Sequence, residues 1–213
     1  METKLTIPLL LNAYSLGVFP MAEARDSDEI HWIEPRKRGV MPLDGFHVSR
    51  SLRRTILSQN FNVTIDQCFA DVVQGCADRS ETWINSEIAQ AYQNLHDAGF
   101  AHSLEIWHQG VLTGGVYGVS IGGAFFGESM FSKRPNASKI ALAYLVDRLK
   151  KTGFVLFDTQ FTTPHLISLG GKEVTKENYR RLLEPAVKQA ADFSDPNYCP
   201  DPDEISQRRT QTS

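Results

Sequence analysis

The stretch Phe154-Val155-Leu156-Phe157-Asp158-Thr159-Gln160 decides how the rest of the chain is organised. Its four apolar residues predict a buried strand, and the same strand ends in a carboxylate and an amide. Because side chains alternate across a strand, Asp158 and Gln160 are expected on one face and Phe157 and Thr159 on the other. Polar groups at the carboxyl end of a buried strand are typical of sites that carry chemistry. A strand that frays into a polar loop is an equally good interpretation of this stretch alone.

The totals are those of an ordinary globular protein. The chain has 213 residues, of which 41% are hydrophobic and 22% charged, and this length is enough for one domain with an ample core. Because the net charge is −3, any contact with nucleic acid must come from local basic patches. The apolar run at residues 7–11 is too short to span a membrane, and no other stretch approaches that length.

The cysteines exclude two kinds of scaffold. Cys68, Cys76 and Cys199 are odd in number and form no Cys-x-x-Cys pair. They therefore indicate neither a disulfide framework nor a zinc site. We expect a protein without a metal, located in the reducing cytoplasm.

Two basic clusters lie in the first third of the chain. Residues 35–38 read Pro-Arg-Lys-Arg, and residues 49–57 predict a helix with Ser49 as N-cap. On the side opposite its apolar stripe, this helix carries three arginines: Arg50, Arg53 and Arg54. A solvated helix face is the simpler interpretation, and a contact with phosphates is the alternative.

From residue 102 onward the pattern changes to antiparallel strands. Three strands are predicted, and the turn at 121–123 indicates a tight hairpin between the last two. Glu128 lies on the last strand and, by simple alternation, shares a face with Phe126 and Met130. A carboxylate in a central strand is costly to bury without a partner. Glu128 is therefore either paired structurally or poised for chemistry.

A long helix predicted from Asn136 follows the hairpin, and the opening strand comes next. This order is typical of the GCN5-related N-acetyltransferase fold, so we predict an α+β protein with a mixed, mostly antiparallel sheet flanked by helices. We expect a shortened N-terminal region (1–42) packed on the catalytic domain, an acyltransferase domain (43–192) and a disordered tail (193–213). The loop at 132–138 contains no glycine, so it lacks the pyrophosphate cradle of acyl-CoA enzymes.

A series of short motifs closely resembles the leucyl/phenylalanyl-tRNA–protein transferase family. The match extends over about residues 12–185, and so many motifs do not occur in order by chance. They occupy residues 17–20, 46–51, 82–84, 101–107, 114–119, 127–132, 136–139 and 158–160. Members of this family take Leu or Phe from aminoacyl-tRNA and attach it to an N-terminal Arg or Lys, which marks the acceptor for N-end-rule degradation.

The resemblance implies that an α-amine attacks the ester of charged tRNA and that the tRNA 3′-hydroxyl leaves. Since the ester is already activated, no ATP, cofactor or metal is expected, and the enzyme positions substrates and stabilises an oxyanion. An α-amino group has a pKa near ~8, so only modest help from a base is required. The expected catalytic residues are Gln160 as an orienting amide, Asp158 as an electrostatic group or base, and Glu128 beside them.

Substrate-binding residues are also implied by the resemblance. The donor side chain would lie in an apolar pocket of residues that periodicity alone assigns to the core: Val116, Met130, Leu142 and Leu145. Trp83 matches a tryptophan that stacks on the terminal adenine, and Ser132 and Asn136 complete the substrate-binding set. The acceptor-stem phosphates would be held by five basic residues: Arg36, Lys37, Arg50, Arg53 and Arg54.

The chain departs from the family pattern at three places. The N-terminal region is shorter than in many members of the family and lacks a Gly-Gly-Asp-Leu-like segment. Met21 stands where a tryptophan of the adenine site is frequent, and Thr163 stands where Asn is frequent. We therefore expect adenine binding to be arranged differently here.

The expected partners are tRNA charged with Leu or Phe, with Met as a further candidate donor, and acceptor proteins that begin with Arg or Lys. A monomer that does not bind membranes is expected. Three other functions stay open: an N-acyltransferase that uses acyl-CoA, an RNA-binding module without catalysis, and a sensor of N-terminal Arg or Lys. The glycine-free loop argues against the first, and the presence of Glu128, Asp158 and Gln160 argues against the second.

Overall fold

A computed structural model describes residues 5–207 of the chain. The helices are α1 (Ile7–Ser15), α2 (Arg50–Ser58), α3 (Phe69–Ala77), α4 (Ser86–Asp97), α5 (Ala137–Lys151), α6 (Pro164–Ser168), α7 (Lys176–Ala186) and α8 (Pro202–Ser206). The strands are β1 (Phe19–Ala22), β2 (Ile30–Ile33), β3 (Lys37–Val40), β4 (Asn62–Ile65), β5 (Ala101–His108), β6 (Val111–Ile121), β7 (Ala124–Ser132), β8 (Leu156–Gln160) and β9 (Lys172–Thr175). None of these helices is both long and apolar enough to cross a membrane.

Seven strands form one mixed sheet in the order β4-β5-β6-β7-β8-β3-β9. Neighbouring strands are antiparallel except β7 and β8, which run parallel and are connected through α5. The hairpin of β1 and β2 forms a separate two-stranded sheet. The predicted fold class is confirmed, because the antiparallel strands β5 to β7 are followed by α5 and then by β8 beside β7.

The two faces of the seven-stranded sheet carry two separate apolar clusters. Tyr117 and Phe126 belong to one cluster, together with residues of α1, α3, α4 and α7. Val116 and Phe125, their neighbours in sequence, belong to the other, together with residues of α2, α5 and α8. Because successive side chains of a strand point to opposite faces, the sheet is a central layer with helices on both sides.

Strand β3 brings the N-terminal region into the main sheet. It lies between β8 and β9, with Gly39 opposite Gln160 and Val40 opposite Asp158. A Cβ atom at Gly39 would lie 2.6 Å from the carbonyl carbon of Phe161, so only glycine allows this close approach. The region boundary predicted after residue 42 therefore falls just beyond a strand that supports the end of β8.

Residues 193–207 are ordered, and the prediction of a disordered tail is wrong for this part of the chain. Phe193 is 2% exposed and stacks on Phe125 at 5.4 Å between ring centroids. Tyr198 Oη donates to Asp147 Oδ2 at 2.8 Å, and Ile205 is fully buried. The polar composition of the tail conceals these well-spaced apolar and aromatic anchors. Residues 208–213 lie outside the described residues.

Candidate active site

The parallel strands β7 and β8 separate part-way along their length. They pair from Ala124 with Leu156 to Phe126 with Asp158. Beyond this point β7 remains paired with β6, while β8 pairs with β3. A cavity of about 240 Å³ is lined by residues of both strands beyond their last shared pair. The divergence of the two strands therefore creates a cleft at the carboxyl end of β8.

Three kinds of side chain line this cavity. Its apolar wall consists of Val116, Met130, Leu142, Phe157 and Leu166. Three further large side chains, each partly exposed, are Met21, Trp83 and Phe161. The polar side chains are Arg79, Glu128, Ser129, Thr159, Gln160 and Thr163.

Glu128 occupies an irregular position in β7. The register of β6 and β7 shifts so that Gly118 lies opposite Gly127 and Tyr117 opposite Ser129, which leaves Glu128 as an extra residue. The shift also reverses the faces of the strand, because Phe126 packs in one apolar cluster and Met130 against the other. The prediction that these residues share a face is therefore wrong, and the cause is a β-bulge that redirects Glu128.

Hydrogen bonds surround the carboxylate of Glu128. Tyr14 Oη donates to Oε1 at 2.7 Å, and Tyr92 Oη donates to Oε2 at 2.8 Å. Gln160 Nε2 donates to Oε2 at 2.9 Å. Burial raises the pKa of Glu128 to about 7, because the hydrogen bonds lower the pKa only in part and the nearby charge of Asp158 raises it further. The carboxyl group is thus poised to gain or lose a proton near neutral pH.

Asp158 lies behind the cavity and is enclosed by its own partners. Arg38 binds it with two nitrogens, Nε at 2.9 Å from Oδ1 and Nη2 at 2.7 Å from Oδ2. Tyr179 Oη donates to Oδ2 at 2.5 Å. The side chains of Arg38 and Asp158 are 1% and 0% exposed. Asp158 is not among the residues that line the cavity.

Arg38 is itself tightly held. Its guanidinium lies 4.6 Å from the ring centroids of both Phe19 and Tyr179, and Nη1 donates to the carbonyl oxygen of Gly17 at 2.9 Å. Burial alone would lower the pKa of Arg38, but the charge and hydrogen bonds of Asp158 raise it overall. The ion pair is therefore a fixed support beneath the end of β8.

Gln160 adopts an uncommon backbone conformation. Its φ is +59°, in the left-handed region, which costs a non-glycine residue about 1–2 kcal/mol. Asp158 Oδ1 accepts a hydrogen bond from the Gln160 backbone N–H at 2.7 Å, which stabilises this conformation. The ion pair thus holds Gln160 in the position from which its amide reaches Glu128.

Several residues of the predicted substrate-binding set lie at the cavity, and others do not. Trp83, Val116, Met130 and Leu142 line it. Leu145 is fully buried in the core, one turn of α5 beyond Leu142 and so about 5 Å further along the helix.

Ser132, the last residue of β7, and Asn136, the residue just before α5, also lie away from the cavity. Ser132 Oγ donates to the carbonyl oxygen of Arg134 at 2.8 Å. Asn136 Nδ2 lies 3.4 Å from Thr55 Oγ1, which links the loop to α2. The structure therefore does not bring these two residues to the pocket that the sequence predicted for them.

The basic residues named from the sequence occupy two separate elements. Arg50, Arg53 and Arg54 are exposed on α2, and none forms an ion pair within residues 5–207. Arg36 and Lys37 are exposed at the start of β3, where Lys37 pairs with Glu173 at 3.5 Å.

Sequence reasoning missed five residues of the site. Tyr14, Arg38, Tyr92 and Tyr179 hold the two carboxylates, and Arg79 lines the cavity. Arg79 Nη2 donates to Ser129 Oγ at 2.9 Å and to the Met130 carbonyl oxygen at 3.0 Å. The available signals were weak: a Tyr near the Gly17 motif, and an Arg beside the Trp83 motif.

Within the described residues, one group of side chains could approach a metal ion together: Glu23, Glu29 and His31. All three are exposed, and none lines the cavity. Exposed acidic groups often cluster without an ion, so this group identifies no metal centre.

The fold and the cleft together define the class of protein. The mixed sheet with its parallel pair β7 and β8 connected through α5 is that of an α+β protein with a GCN5-related N-acetyltransferase-like fold, and the cleft between these strands contains a buried carboxyl group and an amide beside an apolar pocket. The profile of the leucyl/phenylalanyl-tRNA protein transferase family matches residues 40–184, and the profile of the N-terminal domain of this family matches residues 3–36. The chain therefore belongs to the leucyl/phenylalanyl-tRNA protein transferase family.

Individual relatives agree with this assignment. A leucyl/phenylalanyl-tRNA–protein transferase of a Ruegeria species is 59% identical over 209 residues, which are 98% of this chain and 99% of the relative. The corresponding protein of Cereibacter sphaeroides is 57% identical over 98% of both chains. Among solved structures, FemX superposes with a TM-score of 0.49 at 13% identity, covering 84% of this chain and 71% of FemX.

Proposed function

We propose that this chain transfers Leu or Phe from aminoacyl-tRNA to proteins that begin with Arg or Lys, as a monomer in the cytoplasm, and so marks them for degradation. The observation that carries the proposal is the cleft between β7 and β8. It combines an apolar pocket with Glu128 and Gln160, and Trp83 lies at the same cavity.

The pocket suits a single aminoacyl group. Its volume of about 240 Å³ is below the usual range for ligand sites, about 300–1,000 Å³. Met130 is unbranched and adapts to either a branched or an aromatic side chain, which fits a donor of Leu, Phe or Met. A side chain branched at the β-carbon would meet the wall close to the ester, so Ile and Val are disfavoured.

The terminal adenine of the donor would stack at the three partly exposed side chains of the cavity. Trp83 supplies an aromatic face, and its indole is fixed against Tyr92 at 6.4 Å between ring centroids. Met21 and Phe161 lie at the same cavity, and Phe161 is 45% exposed. Phe161 is thus available as the second aromatic surface where Met21 replaces a tryptophan.

The reacting amine would lie at Glu128 and Gln160, because these two polar groups are connected and both line the cavity. Asp158 is saturated by Arg38, Tyr179 and the Gln160 backbone. We therefore assign Asp158 to positioning and electrostatics and Glu128 to proton transfer. A carboxyl group at the acceptor site also attracts a cationic N-terminal residue.

The segment at the start of α5 is poorly suited to bind an acyl-CoA donor. At the start of α5, the Ala137 amide donates to the carbonyl oxygen of Arg134 and the Ser138 amide donates to Ser132 Oγ. Amides that are engaged within the loop are not free to bind a pyrophosphate.

The reaction itself provides the decisive experiment. tRNA charged with labelled Leu or Phe is incubated with the protein and with an acceptor that begins with Arg, beside an identical acceptor that begins with Ala. Label on the Arg acceptor alone is the expected result. Label on neither acceptor, with charged tRNA still bound, would establish a binding module instead.

The arginines of α2 provide a prediction about donor affinity. Each of Arg53→Ala and Arg54→Ala should weaken binding of charged tRNA, because one phosphate contact is lost. The negative slope of log K against log[salt] should become less steep by roughly 0.7–0.9. The KM for the acceptor should not change. Lys188→Ala is the control, since Lys188 is exposed but pairs with Glu184 at 3.0 Å. Equal salt slopes for wild type and all three variants would contradict the assignment of α2.

A further inference from the structure

Tyr14, Tyr92 and Glu128 form a triangle of short oxygen–oxygen contacts. The two phenol oxygens lie 2.5 Å apart. Tyr14 Oη lies 2.7 Å from Glu128 Oε1, and Tyr92 Oη lies 2.8 Å from Oε2. All three distances are those of hydrogen bonds, so each contact requires one hydrogen.

The number of available hydrogens determines the protonation state of this triangle. Each phenol has one hydroxyl hydrogen, so two neutral phenols can fill two of the three contacts. If Glu128 is ionised and both phenols donate to it, the 2.5 Å contact between Tyr14 and Tyr92 contains no hydrogen. A protonated Glu128 supplies the third hydrogen and closes the ring, with Gln160 Nε2 still donating to Oε2.

We propose that Tyr14, Tyr92 and Glu128 form a closed ring of hydrogen bonds that holds one exchangeable proton and receives the proton that the acceptor ammonium loses during transfer. The second half of this inference rests on the function proposed above. Glu128 would be the catalytic residue at the acceptor amine, and the two tyrosines would be positioning residues that act through it.

The ring is open to the cavity on one side. Tyr14 and Tyr92 are 0% and 1% exposed, whereas Glu128 is 8% exposed and lines the cavity. Protons therefore enter and leave through Glu128. Burial is the main cause that raises the pKa of both phenols, and the charge of Glu128 raises it further. The phenols therefore stay neutral, and only the carboxyl group titrates near pH 7.

Other charged and titratable groups approach this carboxyl group from several elements. They are Asp158 on β8, Arg38 on β3, Tyr117 on β6 and Arg79 in the loop after α3. The negative charge of Asp158 favours the protonated form of Glu128, whereas the positive charges of Arg38 and Arg79 favour its ionised form.

One group that accepts a proton is enough to balance the protons of the reaction. The acceptor ammonium starts with three hydrogens on nitrogen, and the amide product keeps one. The C–N bond forms, the bond from the carbonyl carbon to the tRNA 3′-oxygen breaks, and that oxygen takes one proton as the hydroxyl leaving group. The remaining proton passes to ionised Glu128, closes the ring and later leaves to solvent through the cavity.

The test combines a titration with a rate profile. The ¹³C-carboxyl signal of Glu128, assigned by its absence in Glu128→Gln, is followed against pH in wild type, Tyr14→Phe and Tyr92→Phe. Each replacement removes a donor to the carboxylate, so the pKa of Glu128 should rise. The pH profile of kcat should shift to higher pH by the same amount. Below the pKa, kcat of each variant should then be lower than that of wild type on the order of tenfold, and at high pH the two should be equal.

Tyr117→Phe is the matched control. Tyr117 is as buried as Tyr14, but its hydroxyl has no hydrogen-bond partner among the described residues. This variant should leave both the titration and the rate profile unchanged, while KM values for donor and acceptor should stay within about twofold in all three tyrosine variants.

Three results would overturn the inference. Titration of wild-type Glu128 in the ordinary carboxyl range, or titrations unmoved by Tyr14→Phe and Tyr92→Phe, would exclude the ring. A kcat profile that does not follow the titration of Glu128 would exclude its role in transfer. Failure of all transfer, with the titrations as expected, would instead overturn the proposed function and keep the ring.

Discussion

Replacing Arg38 by Met should lower the free energy of unfolding by about 3–5 kcal/mol, because the variant leaves the carboxylate of Asp158 buried without its charge partner. Asp158 is 0% exposed, and three of its hydrogen bonds come from the Arg38 side chain. For a chain of this length, the loss corresponds to a fall in Tm on the order of 10 °C. Denaturation in urea, followed by circular dichroism, measures the effect.

The matched control is Arg180→Met. Arg180 pairs with Glu34 at the same 2.7 Å, but its side chain is 58% exposed, so this change should cost less than about 1 kcal/mol. A loss for Arg38→Met no larger than that for Arg180→Met would contradict the assigned role of the buried pair.

A double variant separates the charge from the packing. Asp158→Asn removes the negative charge but keeps an oxygen that can accept a hydrogen bond from the Gln160 backbone N–H. Arg38→Met combined with Asp158→Asn should therefore be less destabilised than the sum of the two single variants, by about 1–3 kcal/mol. The double variant should still transfer poorly, since Gln160 loses part of the support for its left-handed backbone.

The hidden position of Arg38 illustrates where sequence reasoning ends. Residues 35–38 read as one compact basic cluster, yet Arg36 and Lys37 are exposed while Arg38 points inward. Alternation along β3 determines the difference, and the sequence gives no sign that the inward position meets Asp158, which is 120 residues away. Local pattern does predict β7, α5 and β8, because hydrophobic periodicity and the tight turn are local properties.

Glu128 shows a second limit. The cost of burying a carboxylate was enough to select Glu128 as a candidate, but its orientation depends on one extra residue in β7. A bulge leaves the hydrophobic pattern almost unchanged, so alternation assigned the wrong face to Met130. Tyr14 and Tyr92 are 78 residues apart, and each by itself is an ordinary core tyrosine. Only the assembled fold shows that they share one carboxyl group.

The dependence of folding stability on pH provides an independent measure of the pKa of Glu128. Because burial raises the pKa of this group to about 7, the folded state favours the protonated form. The stability that the group contributes is fully present below the ordinary carboxyl pKa of 4.5 and is lost as the pH rises through about 7. Glu128→Gln has no proton to lose, so this variant should become more stable relative to wild type across that range.

The same Glu128→Gln variant should lower kcat for transfer about 10²-fold at neutral pH, because the amide cannot accept a proton from the ammonium group. Gln can still donate to one tyrosine and accept from the other, so the pocket and the KM for charged tRNA should be preserved. The deficit should shrink above pH ~8, where the free α-amine is already neutral.

Glu105→Gln is the control, since Glu105 is likewise buried and burial likewise raises its pKa, but it accepts hydrogen bonds from Ser103 and Thr64 and does not line the cavity. A deficit that appears only in the acceptor KM, or that persists unchanged at high pH, would show that Glu128 attracts the acceptor rather than deprotonating it. Full activity of Glu128→Gln would show that the solvent accepts the proton and that the cleft only positions the substrates.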